Sequence, residues 1–116
     1  MRETTRFRPL TKLLNTAGWF VKISDKYNSG IIDVLGCFEG KFVAIEYKID
    51  YNKPTASQRL TLVDIANKGG ASFVIWYKNR HKHYEIYCIN NGNTQTVQTA
   101  NEVKQWILKL SLSLTR

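Results

Sequence analysis

Two apolar segments joined by the dipeptide Glu39-Gly40 constrain the fold of this chain more than any other feature. The first spans about residues 31–38 and the second about 41–49, and both are rich in the Ile, Val, Leu and Phe residues that favour strands. A two-residue connection of this kind predicts an antiparallel β-hairpin in which Phe38 pairs with Lys41. The pairing of every residue further from the turn follows from that register.

The predicted register brings two carboxylates together. Asp33 falls opposite Glu46, with Cβ atoms about 4.5–5.5 Å apart on one face of the sheet. Lys48 projects from the same face, because it lies two residues beyond Glu46. Carboxylates that close repel each other, and among apolar side chains they cost free energy unless something pairs with them.

A divalent cation would offset both costs, because Mg²⁺ prefers oxygen ligands and is usually held by one or two carboxylates with waters and phosphate oxygens. The backbone carbonyl of Tyr47 is a further oxygen donor beside Glu46. Lys48 would then be a fixed cation that orients a water or stabilises charge on a phosphate. The sequence therefore predicts a site for Mg²⁺ or Mn²⁺ on the hairpin.

The alternative is a salt-bridged cluster of Asp33, Glu46 and Lys48 on a solvated face, since antiparallel sheets often keep one face in water. The other residues predicted on that face are apolar: Ile31, Leu35, Phe42 and Ala44. They favour the floor of a pocket over a wet surface.

Periodicity and capping signals predict the remaining elements. We expect a helix over 9–17, with its extension through Pro9 to Glu3 left open, and a strand over 19–23. A second helix should run from Lys53-Pro54-Thr55 to Gly69-Gly70, with a Thr55/Gln58 capping box. Strands over 72–77 and 83–89, a polar loop over 90–96 and a helix over 100–112 capped by Thr99 and Glu102 should follow. The order α-β-β-β-α-β-β-α predicts an α/β or α+β fold, with a central mixed β-sheet flanked by helices. At 116 residues the chain fits a single domain over 1–116.

The composition favours an anionic partner. Lys and Arg number 17 against 9 Asp and Glu, for a net charge of +8, and nucleic acid is the first candidate. A charge that serves solubility alone is the alternative. No apolar run approaches the ~20 residues of a membrane span, and residues 1–6 lack an apolar signal segment, so we expect no membrane partner and a cytoplasmic location.

Cysteine and tryptophan residues lie in apolar segments and are expected in the core. Cys37 and Cys88 are interpreted as core thiols. Trp19, Trp76 and Trp106 are interpreted in the same way, with base stacking on one of them as the alternative.

The ordered set of Asp33, Glu46-x-Lys48, Gln58 and Gly69-Gly70 resembles the PD-(D/E)xK nuclease superfamily, and more narrowly the small viral VRR-NUC domain. The resemblance covers roughly residues 1–78, and Ile32 stands where the family usually has Pro. It implies a restriction-endonuclease-like core and hydrolysis of phosphodiester bonds with Mg²⁺ or Mn²⁺ and no small-molecule cofactor.

The resemblance also implies roles for individual residues. Asp33 and Glu46 would be catalytic carboxylates that bind the metal, Lys48 the catalytic lysine, and Gln58 an additional active-site residue. The N-terminal helix of the family often carries a further acidic ligand, for which Glu3 is the candidate here.

Viral members of the family include nucleases that act on branched DNA as homodimers, of the Holliday-junction resolvase type. The resemblance thus implies a DNA endonuclease of recombination and repair, located in the cytoplasm of a host cell if the protein is viral. A catalytically silent nucleic-acid-binding module of the same fold is the alternative, and an accessory domain with a protein partner is a third. Basic residues near the motif and in a later turn are DNA-binding candidates, with a solvated surface as the alternative: Lys22, Lys26, Lys53, Arg59, Arg80 and Lys82.

Overall fold

The computed structural model describes residues 3–23 and 32–114 and arranges them as a six-stranded mixed sheet with three helices. The helices are α1 (Glu3–Leu14), α2 (Ala56–Asn67) and α3 (Ala100–Ser113). The strands are β1 (Trp19–Lys22), β2 (Val34–Phe38), β3 (Lys41–Ile49), β4 (Ala71–Lys78), β5 (His83–Cys88) and β6 (Thr94–Val97). They lie side by side in chain order, and all neighbours are antiparallel except β3 and β4, which α2 connects in parallel. The predicted α+β fold with a mixed sheet is confirmed.

The predicted hairpin forms in the predicted register. Glu39 and Gly40 both have positive φ, at 47° and 77°, as a type I′ turn requires. Phe38 pairs with Lys41, and the ladder continues to Val34 opposite the residue before Glu46. β2 therefore begins at Val34, later than the sequence predicts.

One face of the sheet carries the larger apolar core, against α1 and α3. Its centre is formed by buried side chains of β3 and β4, such as Ile45 and Phe73, and by Phe7 of α1. The ring of Phe7 stacks on Tyr47 at 4.2 Å between centroids. Gly36 in β2 lets Phe20 lie close, because a Cβ there would stand 2.4 Å from the Phe20 ring.

The opposite face packs on α2, which lies over β3 and β4. The apolar cluster here is smaller and consists of Ile32, Ala44, Leu62 and Val74. Ser72 ties α2 to the sheet, because its buried hydroxyl donates a hydrogen bond of 2.7 Å to the Leu62 carbonyl. This face also carries Glu46 and Lys48, since both alternate in phase with Ala44.

Two elements differ from the sequence prediction. α1 begins at Glu3, so Pro9 lies inside the helix, where the packing of Phe7 and Leu10 on the core offsets the lost hydrogen bond. β6 was predicted as part of a loop, and the order is therefore α-β-β-β-α-β-β-β-α. The Thr-Gln-Thr sequence of β6 has no apolar alternation, and its pairing with β5 makes it a strand.

The predicted burial of the cysteines and tryptophans is partly wrong. Cys88 is buried, but Cys37 is exposed, and Trp19 on β1 is 64% exposed. Both lie on the α2 side of the sheet, beyond the strands that α2 covers. Among the described residues, no helix has the length and apolar character needed to cross a membrane.

Candidate active site

The carboxylates of Asp33 and Glu46 meet where β2 begins. The backbone N–H of Asp33 donates a hydrogen bond of 3.1 Å to Glu46 Oε1. In return, the N–H of Tyr47 donates one of 2.9 Å to Asp33 Oδ2. The Asp33 side chain thus takes the backbone donor that the next rung of the ladder would use, which is why β2 begins only at Val34.

Glu46 is a buried acid. Its side chain is 1% exposed, and Lys48 Nζ lies 3.2 Å from its Oε2. The pKa of Glu46 is raised to about 7: burial is the largest cause, the charge of Asp33 adds to it, and Lys48 acts in the opposite direction. Near neutral pH the carboxyl group is therefore ready to exchange its proton for a cation.

Asp33 is more accessible, with 21% of its side chain exposed. Its Oδ1 forms an ion pair of 2.9 Å with Lys22 Nζ, from the neighbouring strand β1. Sequence reasoning named Lys22 only as a DNA contact. Pairing β1 with β2 would have indicated the contact, because Lys22 lies opposite Val34, next to Asp33.

The oxygen donors fit Mg²⁺ or Mn²⁺. Among the side chains that the structure describes, no cluster of three or more His, Cys, Asp or Glu forms, and the oxygen donors at this point are Asp33, Glu46 and the Tyr47 carbonyl. That carbonyl faces the Asp33 side of β3, because the N–H and C=O of a strand residue point the same way. Mg²⁺ prefers a site with one or two carboxylates in which it keeps several of its waters.

Lys48 completes the predicted trio. Its side chain is 14% exposed and lies against Glu46. The ion pairs of the alternative interpretation, a salt-bridged surface cluster, do form. However, a solvated face would not leave Glu46 1% exposed, and that part of the alternative is wrong.

The structure gives Gln58 a local contact. Its Oε1 accepts a hydrogen bond of 3.0 Å from the N–H of Thr55, and the Thr55 hydroxyl accepts one of 3.1 Å from the N–H of Gln58. The predicted capping box at the start of α2 is confirmed, and an active-site role for Gln58 stays a prediction.

The other predicted residues are exposed on the surface or lie outside the described part of the chain. Lys53 and Arg59 are exposed near the start of α2, and Arg80 and Lys82 are exposed in the turn between β4 and β5. Glu3 begins α1, but its side chain is outside the described structure, as is the whole of Lys26.

Comparison with known proteins supports the architecture. A scan against protein-family models finds no matching family, and a search of curated proteins finds no matching relative. Among solved structures, the chain resembles Archaeoglobus fulgidus Hjc, a Holliday junction resolvase from an archaeal hyperthermophile. The TM-score is 0.52 at 16% identity, over 83% of this chain and 96% of that chain. At this identity the likeness concerns the fold alone, which is a restriction-endonuclease-like α+β fold.

Proposed function

We propose that this protein is a metal-dependent DNA endonuclease of the VRR-NUC type that hydrolyses phosphodiester bonds in branched DNA, with residues 1–116 as one nuclease domain. The observation that carries the proposal is the pair of neighbouring acids, Asp33 and Glu46, linked by a hydrogen bond from the Asp33 N–H to the Glu46 carboxylate, with Lys48 beside Glu46. A resolvase-like fold around the pair supports the same conclusion.

Asp33, Glu46 and the Tyr47 carbonyl would hold the metal. When bound, Mg²⁺ or Mn²⁺ supplies Lewis acidity that activates water and neutralises phosphate charge. Glu46 is the more deeply buried of the two acids and would fix the position of the ion, whereas Asp33 is the more accessible. We propose no small-molecule cofactor besides the metal.

Lys48 and Lys22 have different proposed roles. The ammonium group of Lys48 is held against the metal position by Glu46 and stabilises negative charge that develops on the phosphate oxygens. Lys22 pairs with Asp33 and is 34% exposed, so its ammonium group would be available to a DNA phosphate if Asp33 held a metal ion. Gln58, at the start of α2, and Glu3, at the start of α1, complete the proposed set.

Branched DNA is the proposed substrate, in recombination or repair. The net charge of +8 and the exposed basic residues Lys53, Arg59, Arg80 and Lys82 suit a polyanion. A similar solved structure is that of a Holliday junction resolvase. We propose a homodimer, because two sites related by a two-fold axis match the two-fold symmetry of a four-way junction.

An uncharged strip on β1–β3 suits the second copy better than DNA. Trp19, Val21 and Phe42 are 64%, 36% and 46% exposed, and Trp19 and Phe42 flank Cys37 in the strand register. An exposed apolar surface of this kind is typical of a protein contact.

Cleavage of a labelled substrate panel tests the proposed function. Flap, fork and four-way junction DNA should be cut in preference to duplex DNA and only with Mg²⁺ or Mn²⁺, and the junction should be cut in paired symmetric positions. Asp33→Asn and Lys48→Ala should each lower the rate by at least about 100-fold, because each removes charge that acts on the reacting phosphate. DNA affinity should stay close to wild type.

The matched controls are Asp64→Asn and Lys68→Ala, which change an exposed ion pair on α2. They should cleave like wild type. Failure of wild type to cut any of the four substrates with either metal would sink the proposal, and binding without cleavage would instead identify the silent nucleic-acid-binding module.

A further inference from the structure

A groove opens beside Lys48, across the α2 face of the sheet. In the strand register Lys48 lies opposite Trp76 of β4, and Trp76 lies opposite Glu85 of β5. The groove has a volume of about 460 Å³ between the start of α2 and strands β4–β6. Its lining includes Lys53, Arg59, Val74, Trp76, Tyr87 and Thr94. A smaller pocket of about 180 Å³ shares Trp76 with it and adds Tyr51 and Lys78.

Aromatic rings and cations alternate along this surface, which we call the Trp76 groove. Tyr51 is 74% exposed, and Lys78 Nζ lies 4.3 Å from the centroid of its ring and 5.7 Å from that of Trp76. The Trp76 ring is held in place, because its Nε1 donates a hydrogen bond of 2.7 Å to the Asn52 carbonyl. Fixed rings beside cations are the features with which proteins bind unpaired nucleotides, the bases stacking and the phosphates pairing with charge.

The charge of the groove favours an anion. Lys53, Arg59 and Lys78 contribute positive charge, and the acid in the lining is Glu85. Glu85 offsets one of these three charges, since its carboxylate lies 4.0 Å from Lys78 Nζ and 3.1 Å from His83 Nε2. An apolar peptide would leave these cations unpaired, whereas a nucleic acid strand supplies one phosphate per nucleotide.

We propose that the Trp76 groove binds an unpaired strand of DNA that continues from the cleavage site at Lys48. Its bases stack on Trp76 and Tyr51, and its phosphates contact Lys53, Arg59 and Lys78. A duplex cannot use the rings in this way, because its base faces are covered by neighbouring bases. The inference rests on the proposed function and refines it, since the substrate then has a single-stranded segment next to the scissile bond.

Binding of an unlabelled oligothymidylate to the full chain in EDTA tests the groove without cleavage. Tryptophan fluorescence should be quenched, and Trp76→Phe should lose most of the quenching while Trp19→Phe keeps it. With a labelled oligothymidylate, anisotropy should show about tenfold weaker binding for Tyr51→Ala, an exposed position where folding is not at risk. A duplex of equal length should show no effect of Tyr51→Ala.

Paired lysine and arginine variants test the phosphate contacts. Lys53→Ala with Arg59→Ala should weaken binding by about tenfold or more and reduce the slope of log affinity against log salt by about 1.4. Lys68→Ala with Lys109→Ala removes the same charge from exposed positions outside the groove and should bind more tightly than the groove variant.

Equal affinity of the groove and control variants, or quenching that survives Trp76→Phe, would overturn the inference. These experiments distinguish failure of the groove proposal from failure of the proposed nuclease function. Groove-dependent binding by a protein that cuts no substrate would leave the groove standing and remove the nuclease. Metal-dependent cleavage by wild type, with groove variants that bind DNA as wild type does, would leave the nuclease standing and overturn the groove.

Discussion

The two faces of the sheet are built from alternate residues of the same strands, yet they differ in chemistry. Against α1 and α3, strand β3 contributes Val43, Ile45 and Tyr47 to the large core. Against α2, the same strand contributes Ala44, Glu46 and Lys48, and only the first of these joins an apolar cluster. One face therefore supplies most of the hydrophobic stabilisation, and the other can hold a buried carboxylate because the first compensates for its cost.

Truncation of matched side chains on the two faces should give the largest difference in stability. Ile75 on the α1–α3 side and Leu62 on the α2 side are both 0% exposed and have the same number of carbon atoms. Ile75→Ala should cost about 4–5 kcal/mol and Leu62→Ala about 2–3 kcal/mol, because the smaller cluster can relax around the cavity. Urea unfolding measures both values. A larger loss for Leu62→Ala would contradict the division of roles between the faces.

The buried acid should make stability depend on pH. Because its folded-state pKa is about 7 against an ordinary value of 4.5, Glu46 keeps a proton in that range that the unfolded chain has lost. The free energy of unfolding should therefore fall as the pH rises from about 4.5 through 7, by up to about 3 kcal/mol. Urea titrations at pH 5 and pH 8 with EDTA measure this difference in the free energy of unfolding, and Glu46→Gln should remove most of it.

Exposed Asp64→Asn serves as the control and should keep the wild-type dependence on pH. Mg²⁺ added at pH 8 should raise the stability of wild type but not of Glu46→Gln, because binding to the folded state alone stabilises it. A pH dependence that persists in Glu46→Gln would show that another group causes it.

The smallest expected effect on stability comes from a comparison of the two capping boxes. Gln58 caps α2 on the site face, and Glu102 makes the same contacts at the start of α3. Gln58→Ala and Glu102→Ala should each cost about 0.5–1 kcal/mol in urea unfolding, the scale of a lost cap. If Gln58 also acts at the active site, its variant alone should lower the cleavage rate, and equal rates in the two variants would confine Gln58 to capping.

Local signals predicted most of the elements. The turn at Glu39-Gly40 and the capping boxes at Thr55 and Thr99 depend on neighbours in the chain, and all three are as predicted. The prediction of a loop at β6 is wrong because the cause there is not local: its polar residues become a strand only through hydrogen bonds to β5. Pro9 inside α1 is a similar case, because distant core contacts of the helix outweigh a local penalty.

The sequence by itself determined the hairpin register, and with it the meeting of Asp33 and Glu46, because a two-residue turn leaves a short ladder no other pairing. Only the tertiary structure decided that Glu46 is buried, that Lys22 pairs with Asp33, and that Trp76 faces a groove. Burial and long-range contacts depend on which strands and helices lie next to one another. That arrangement comes from packing over the whole sheet and leaves no signal within any single segment.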